Sequence, residues 1–284
     1  MVETVRIIPR LDIKGPNLVK GIHLEGLRVM GDPDQFARYY YENGADELFY
    51  MDVVASLYER NSLESIISKT AKSVFIPITV GGGIRSTQDI RNALKAGADK
   101  VCLNTAAIKN PSLIKEASSQ FGSSTIVVAI EAIKQKDGKY LCFIDNGREH
   151  TGIEAVQWAQ QVEELGAGEL VITSVDREGT GEGYDIELVR AISSKVGIPV
   201  IAHGGAGSPE DIFNVIDQAG VTAVTLASSL HYGCIEGKVF NSEGVRVEGN
   251  TTFLGSGKKF NKIKPTSIKE IKTYLRDKDV PCRL

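Results

Sequence analysis

The chain contains the stretch Val80-Gly81-Gly82-Gly83-Ile84, and a second glycine turn, His203-Gly204-Gly205-Ala206-Gly207, repeats its pattern. Gly83 and Gly205 are 122 residues apart in a chain of 284 residues. A glycine turn at the end of a strand exposes backbone N–H groups that can bind a phosphate. Two such turns half a chain apart predict a duplicated barrel that holds a substrate by two phosphates.

The surroundings of the two turns are also alike. Apolar runs at 75–79 and 198–202 precede them, and the short pairs Asn104-Thr105 and Ala227-Ser228 follow them at nearly the same distance. Tight backbone geometry alone could explain the glycines. The hydroxyl and amide side chains that follow favour phosphate binding instead.

Short apolar runs alternate with amphipathic segments along most of the chain. Several runs are apolar throughout, which is typical of strands buried on both faces. The predicted strands are 6–11, 47–52, 75–79, 100–103, 124–129, 169–174, 199–202 and 223–226, and the predicted helices include 33–43, 86–96, 153–165, 185–196, 208–219 and 267–276. This alternation predicts a (β/α)8 TIM barrel of two half-barrels. A doubly wound open sheet is the alternative, and it explains the spacing of the glycine turns less well.

Two segments interrupt the alternation within what we predict to be one domain, residues 1–284. Residues 132–147 follow the fifth strand and are predicted as a β-hairpin that turns at 136–139. Residues 233–264 are rich in Gly, Asn, Ser and Lys, and are predicted as an insertion, partly hairpin, between the last strand and the last helix. A loop of that length is usually functional or mobile.

Composition limits the class of protein. A net charge of −3 gives no reason to expect nucleic acid or a membrane as a partner. No apolar stretch is long enough to span a bilayer, and the N-terminus lacks a signal-peptide pattern. The four cysteines are spaced too widely and irregularly for a zinc site or a disulfide framework, so we predict a cytoplasmic protein with reduced thiols.

Two carboxylates stand at matching strand ends. Asp12 ends the first predicted strand and Glu131 ends the fifth, and these strands face each other across an eight-stranded barrel. The carboxylates would then lie on opposite sides of one pocket, as a general acid and a general base do. A structural role, such as capping a loop or pairing with Lys14 or Lys20, is the alternative for each carboxylate alone.

The chain resembles the HisF family, the cyclase subunits of imidazole glycerol phosphate synthase. The resemblance covers about residues 6–231 and resumes over the final helix. The matching stretches include Leu11-Asp12-Ile13-Lys14, Val19-Lys20-Gly21, Gly31-Asp32-Pro33, Gly97-Ala98-Asp99-Lys100-Val101, Asn104-Thr105-Ala106-Ala107 and Gly204-Gly205-Ala206-Gly207.

The resemblance implies an activity and its residues. HisF proteins join ammonia to a long bisphosphate, close an imidazole ring and release an aminoimidazole ribotide. The catalytic carboxylates of the family match Asp12 and Glu131, and Lys20 matches a lysine on the mobile first loop. One implied phosphate site consists of Gly83, Asn104 and Thr105, and the other of Gly179, Gly205, Ala227 and Ser228. No metal or organic cofactor is implied.

A second set of charged residues lies at the opposite end of the predicted strands. Arg6, Glu47, Lys100 and Glu169 each stand at a strand start and would meet at the bottom of the barrel. A purely structural ring of ion pairs would use the same four residues. The resemblance favours the gate through which ammonia enters from a glutaminase of the HisH type.

The sequence departs from the family pattern inside the pocket. Aspartate is usual at Glu131 and Glu178, cysteine at Arg10, and a small hydroxyl residue at His203. The extra methylene of Glu131 matters because displacements near 1 Å can cost about 100-fold in rate. His203 is more typical of a structural histidine than of a catalyst, but beside the glycine turn it could bind phosphate.

Three hypotheses follow. The first is the histidine-pathway cyclase and lyase, a synthase subunit supplied with ammonia by a glutaminase. The second is a HisF paralogue of surface polysaccharide biosynthesis that supplies ammonia for an amidino sugar. The third is a non-catalytic barrel that activates a glutaminase.

Overall fold

The computed structural model describes residues 4–55, 63–237, 239 and 262–283. Within these residues the strands are β1 (Arg6–Lys14), β2 (Asn17–Ile22), β3 (Glu25–Gly31), β4 (Leu48–Asp52), β5 (Ile78–Gly81), β6 (Lys100–Leu103), β7 (Ile126–Lys134), β8 (Tyr140–Ile144), β9 (Glu149–Glu154), β10 (Glu169–Ser174), β11 (Val200–His203) and β12 (Ala223–Leu226). The helices are α1 (Pro33–Glu42), α2 (Glu64–Thr70), α3 (Thr87–Ala96), α4 (Thr105–Lys109), α5 (Ser112–Phe121), α6 (Ala155–Glu164), α7 (Ile186–Ser193), α8 (Pro209–Ala219), α9 (Ser228–Glu236) and α10 (Ile268–Arg276).

Eight of the strands close into a parallel barrel. The order around it is β1, β4, β5, β6, β7, β10, β11 and β12, and β12 pairs with β1 again. The predicted (β/α)8 barrel is therefore confirmed, and the open sheet is excluded. Strand β7 is four strands from β1 in both directions, so Asp12 and Glu131 do come from facing strands.

Local sequence sets the helix boundaries. Ser208 and Asp211 form a reciprocal cap at the start of α8, with Pro209 in the first turn, and Ser86 accepts a hydrogen bond from a backbone N–H of α3. Gly97 and Gly220 end these two helices at φ angles of 113° and 67°. Only glycine adopts such left-handed angles without strain, so each helix stops where the sequence predicted.

Inward-facing side chains stack in layers along the barrel axis. A charged layer at the strand starts is followed by an apolar layer and then by the polar groups of the site. The apolar layer consists of Ile8, Phe49, Cys102, Val127, Ala129, Val171, Ile201 and Ala223, all buried. Alternation along each strand produces this order, since residues two apart face the same side.

The structure corrects several boundaries. Strand β5 begins at Ile78 and not at residue 75: Phe75 is 76% exposed, and Pro77 has no N–H to donate to a neighbouring strand. Strands β1 and β7 run on to Lys14 and Lys134, so Asp12 and Glu131 do not end their strands as predicted.

The excursions from the barrel also differ in part from prediction. The hairpin at 132–147 is confirmed, since β8 pairs antiparallel with the outer end of β7. Strand β9 was missed, and its last two residues, 153–154, were assigned to a helix that begins at Ala155. The antiparallel pair β2 and β3 after β1 was missed too.

The start of the predicted insertion was placed too early. Residues 233–236 belong to helix α9, which continues an apolar packing face through buried Leu230 and Cys234. Residues 240–261, the greater part of the predicted excursion, lie outside the described residues. The chain returns beside the barrel, where Lys264 N–H donates to Gly207 O at 2.8 Å.

Lys272 gives the first testable prediction. Its buried ammonium donates to Asp46 Oδ1 at 2.9 Å, to Gly44 O at 2.7 Å and to Arg283 O at 2.7 Å. Lys272→Met leaves the Asp46 carboxylate buried beside fewer donors, so we expect a loss of roughly 3–5 kcal/mol in the free energy of unfolding. Urea unfolding followed by circular dichroism measures it. The exposed Lys269→Met is the control, and equal stability of the two variants would contradict the prediction.

Candidate active site

The first glycine turn opens onto a cavity of about 330 Å³ at the carboxyl ends of the strands. Gly82 and Gly83 have φ angles of 96° and 71°, and a Cβ at Gly82 would lie 2.3 Å from Asp52 O. Only glycine therefore fits there. Asn104, Thr105 and Glu131 also line this cavity, so the first predicted phosphate set comes together. We call it the first cradle.

The second turn forms a narrower cavity of about 20 Å³, which we call the second cradle. It is lined by the predicted residues Gly179, Gly205, Ala227, Ser228 and Lys20, and also by Glu178, His203 and Thr225. A Cβ at Gly205 would lie 2.1 Å from Gly183 O, and one at Gly179 would lie 2.6 Å from Gly21 O. Close backbone approach thus requires both glycines.

The two cradles repeat one backbone geometry. Asn104 precedes helix α4 at φ −138° and ψ −90°, and Ala227 precedes α9 at φ −128° and ψ −72°. Neither residue caps its helix with a side-chain hydrogen bond. The leading N–H groups of both helices are therefore left without a side-chain cap beside the glycine turns, as the duplication of the sequence indicates.

Asp12 is a buried carboxylate surrounded by cations. Arg10 Nε donates to Asp12 Oδ1 at 2.7 Å, and Lys20 Nζ lies 3.5 Å from Asp12 Oδ2. Burial alone would raise the pKa of Asp12, but Arg10 and Lys20 outweigh it and hold that pKa well below its ordinary value. Asp12 is therefore ionised at neutral pH.

Glu131 has the opposite electrostatic environment. The Gly147 N–H donates to Glu131 Oε2 at 2.8 Å. Burial raises the pKa of Glu131 to about 7, against the opposing effects of Arg10, the Gly147 N–H and the Asn104 side chain. Near neutrality Asp12 is thus ionised, while Glu131 still carries a proton in part of the molecules, and this difference suits a base and an acid.

Arg10 and His203 occupy the space beside Asp12. Arg10 Nη1 lies 3.3 Å from His203 Nδ1, and Thr173 Oγ1 lies 3.1 Å from the same nitrogen. Burial, Arg10 and Lys20 lower the pKa of His203 well below its ordinary value. Both residues depart from the usual family pattern, and the structure joins them in one contact.

The strand pair β2–β3 reaches over the second cradle. Lys20 of β2 forms an ion pair with Glu178, and Glu178 Oε2 also accepts from Leu24 N–H at 3.0 Å. The turn between β2 and β3 makes a further contact with Glu178, because His23 N–H donates to Glu178 O at 2.9 Å. Lys20 and Glu178 therefore lie across the cradle and narrow it.

The four charges predicted at the bottom of the barrel do meet. Arg6 contacts Glu47 at 2.6 Å and Glu169 at 2.5 Å, and Lys100 contacts the same two carboxylates at 3.1 and 3.0 Å. We call this closed arrangement the charged ring. Opposite charges alternate around it, so each carboxylate has two cationic neighbours.

One part of the site, the turn between β8 and β9, was not predicted from the sequence. Asp145 and Asn146 line the first cavity, and Asp145 N–H donates to Thr105 Oγ1 at 3.1 Å. Gly147 follows and binds Glu131. The string Asp145-Asn146-Gly147 is a turn signal, and Asp145 and Asn146 have φ angles of 52° and 62°. That signal was not used in the sequence prediction, and it carries no information on the contact of the turn with the pocket.

Comparison with known proteins places this geometry in a family. A family model described as "Histidine biosynthesis protein" matches residues 6–236. A protein named imidazole glycerol phosphate synthase subunit HisF from Legionella pneumophila is 58% identical over 207 residues, which cover 73% of this chain and 98% of that relative. The chain belongs to the HisF family.

Other HisF proteins extend the match. The one from Alkaliphilus metalliredigens (strain QYMF) is 47% identical over 81% of this chain and 91% of its own length. The one from Methanocaldococcus jannaschii is 42% identical over 99% of both chains. These relatives are named as subunits, which indicates that HisF proteins work in a complex with a partner subunit.

The described residues contain neither a membrane-spanning helix nor a cluster of metal ligands. In that part of the chain no helix is long and apolar enough to cross a membrane. Nor do His, Cys, Asp and Glu side chains there form a group of three or more that could hold a metal ion.

The raised pKa of Glu131 predicts a pH-dependent stability. The pKa of this carboxyl is higher in the folded protein than in the unfolded chain. Its contribution to stability is therefore complete at a pH below the pKa of the unfolded chain, and it is lost as the pH rises through about 7. From pH 5 to pH 8 we expect the free energy of unfolding of the unmodified protein to fall by on the order of 3 kcal/mol more than that of Glu131→Gln.

Urea titrations of both proteins at the two pH values measure this difference. Glu149→Gln, at an exposed position of β9, is the control and should follow the unmodified protein. A Glu131→Gln variant with the same pH dependence as the unmodified protein would show that Glu131 titrates normally.

Proposed function

We propose that this chain is the synthase subunit of a glutamine amidotransferase system in histidine biosynthesis. It uses ammonia to convert a formimino ribotide bisphosphate into imidazole glycerol phosphate and an aminoimidazole carboxamide ribotide. The observation that carries the proposal is a pair of buried carboxyl groups on facing strands: Glu131 lines the first cradle, and Asp12 contacts Lys20 of the second. Membership of the HisF family supports the same reaction.

The cradles would bind the two ends of the substrate. Gly83, Asn104 and Thr105 offer backbone N–H and side-chain donors to one phosphate, and the second cradle offers the same kinds of donor to the other. Phosphate groups prefer such clusters of N–H donors at glycine turns and helix starts. Binding two ends fixes the reacting middle of the substrate between the carboxylates.

The carboxylates would divide the proton transfers. Asp12 is ionised and can accept a proton from the attacking nitrogen or from a carbon beside it. Glu131, with a pKa near neutrality, can donate a proton to a leaving group and then recover it. Ring closure and cleavage both need such transfers on two sides of the substrate.

Lys20 would take part through the strand pair that carries it. Its ammonium lies between Asp12 and Glu178, at the edge of the second cradle. An entering phosphate would compete with Glu178 for this ammonium. Substrate binding would therefore be coupled to a movement of β2 and β3, in agreement with the mobile loop that the family implies.

A glutaminase of the HisH type is the partner that we propose. It would dock at the bottom of the barrel and deliver ammonia at the charged ring, and the apolar layer above the ring would lead to the carboxylates. The four cysteines are free thiols, which agrees with a cytoplasmic location. Single-domain organisation over residues 1–284 remains part of the same proposal.

The other two hypotheses are not favoured. The relatives named above are synthase subunits, and their names give no support to a sugar-pathway paralogue. A barrel that only activates a glutaminase would not need a buried glutamate with a pKa of about 7, because perturbed groups of this kind concentrate at catalytic sites.

The roles of the two carboxylates can be tested without the partner. We expect Asp12→Asn and Glu131→Gln each to lower ammonia-dependent formation of imidazole glycerol phosphate by about 100-fold or more, since each removes a proton-transfer group. The measurement is steady-state turnover with an ammonium salt and the bisphosphate ribotide. Asp137→Asn, in an exposed hairpin turn, is the control. Full activity in both site variants would contradict the assignment.

The charged ring predicts a different kinetic signature. Lys100→Glu leaves three carboxylates and one guanidinium in the ring, so its alternation of charge is lost. We expect at least a tenfold fall (roughly 1.4 kcal/mol) in glutamine-dependent turnover with the glutaminase, while turnover with a saturating ammonium salt persists.

Lys136→Glu, at the other end of the barrel, is the control, and it should change neither glutamine-dependent turnover nor turnover with the ammonium salt. If Lys100→Glu alters neither glutamine-dependent turnover nor complex formation, the ring is a structural feature and the ammonia entrance lies elsewhere.

A further inference from the structure

The second cradle contains a histidine whose hydrogen position follows from its neighbours. His203 is 3% exposed, ends strand β11 and lines the cradle. Its Nδ1 lies 3.3 Å from Arg10 Nη1 and 3.1 Å from Thr173 Oγ1. A guanidinium has donors and no acceptor, so Nδ1 must accept and cannot carry a hydrogen.

The ring of His203 is therefore neutral, and its hydrogen lies on Nε2. Burial and the charges of Arg10 and Lys20, which lower the pKa of His203, agree with the neutral ring. Among residues 4–55, 63–237 and 262–283, no group accepts a hydrogen bond from Nε2. The cradle thus contains a fixed N–H donor that the fold itself does not use.

Thr225 provides a second, independent observation. It lies beside His203 on the neighbouring strand β12, and it lines the same cradle. Its hydroxyl is buried and has no hydrogen-bond partner in the part of the chain that the structure describes. Buried hydroxyls without a partner are uncommon and indicate a missing ligand or water.

The first cradle lacks both groups. The repeat that aligns Gly83 with Gly205 places Gly81 at the position of His203, and the repeat that aligns Asn104 with Ala227 places Cys102 at that of Thr225. The strand pairs Gly81–Cys102 and His203–Thr225 correspond in the same way. Glycine has no side chain and a thiol is a weak donor. The two cradles share their backbone, but only the second adds a ring N–H and a hydroxyl from the strands.

We propose that His203, held in its Nε2–H form by Arg10, binds the substrate phosphate of the second cradle together with the hydroxyl of Thr225. A phosphate monoester offers acceptor oxygens to both donors. Arg10 is a positioning residue here, because it acts through the tautomer of His203. This inference rests on the proposed function, which supplies the phosphate.

Nuclear magnetic resonance with inorganic phosphate as the probe tests the inference directly. In protein labelled with 15N-histidine, we expect His203 to show a hydrogen on Nε2 and none on Nδ1, and the Nε2–H signal to shift when phosphate is added. Arg10→Met removes the obligatory donor, so a mixture of tautomers should appear. A hydrogen on Nδ1 in the unmodified protein would overturn the role of Arg10.

Two substitutions at His203 separate its ring nitrogens. Asparagine places a side-chain oxygen near the position of Nδ1 and loses the Nε2 donor, whereas glutamine places an amide N–H near Nε2. A hydrogen bond to a charged group contributes about 1.5–3 kcal/mol, so His203→Asn should weaken phosphate binding at the second cradle by roughly 10- to 100-fold. His203→Gln should weaken it less.

Backbone amide signals report each cradle separately. The amides of Gly205 and Ser228 report phosphate binding at the second cradle. Those of Gly83 and Thr105 report binding at the first cradle, and they also verify that each variant is folded. With the bisphosphate substrate, His203→Asn should raise KM far more than it lowers kcat. His150→Asn, at an exposed position, is the matched control and should behave as the unmodified protein.

The outcomes distinguish the two proposals. If phosphate shifts no amide of either cradle in the unmodified protein, the phosphate-binding function is wrong and this inference fails with it. If phosphate binds the second cradle of His203→Asn as tightly as that of the unmodified protein, the inference alone is overturned.

Discussion

The buried ion pair between Arg10 and Asp12 determines most of what the pocket can do. The guanidinium and the carboxylate lie 2.7 Å apart, and both are about 2% exposed. A buried charge is unfavourable unless it has a partner, so each of these groups keeps the other ionised. The same cation fixes the acceptor state of His203 Nδ1. It also limits how far burial can raise the pKa of Glu131.

Glutamate at position 131 changes how the facing carboxyl group is held. Its side chain is one methylene longer than the aspartate that is usual in the family, and its oxygen is bound by the Gly147 N–H at 2.8 Å. That N–H belongs to a turn in which Asp145 and Asn146 have left-handed backbones. The β8–β9 turn therefore holds the longer acid in a defined position, and in the proposed reaction this would keep a proton donor in the pocket despite the different side chain.

The sequence predicted the barrel because its signals are local and repeated. Apolar strands, serine caps such as Ser208 and glycine ends such as Gly97 each act within a few residues, and the spacing of the glycine turns related the two halves. Strand β2 was missed because its pairing depends on β1, and its sequence alternates too weakly to predict a strand alone. The contact between Gly147 and Glu131 was missed for the same reason, since it joins two elements across the pocket.

The order of layers in the barrel has a consequence for the supply of protons. Between the charged ring and the carboxylates lies a dry layer that includes Ile8, Phe49 and Val171. An ammonium ion would have to leave its hydration shell to cross such a layer, whereas neutral ammonia is a small uncharged molecule. In the proposed reaction the nucleophile therefore arrives as the free base, and its extra proton stays on the partner's side of the barrel. The protons for the reaction must then come from the site itself. Glu131 can hold one at neutral pH and exchange it with water through the first cradle.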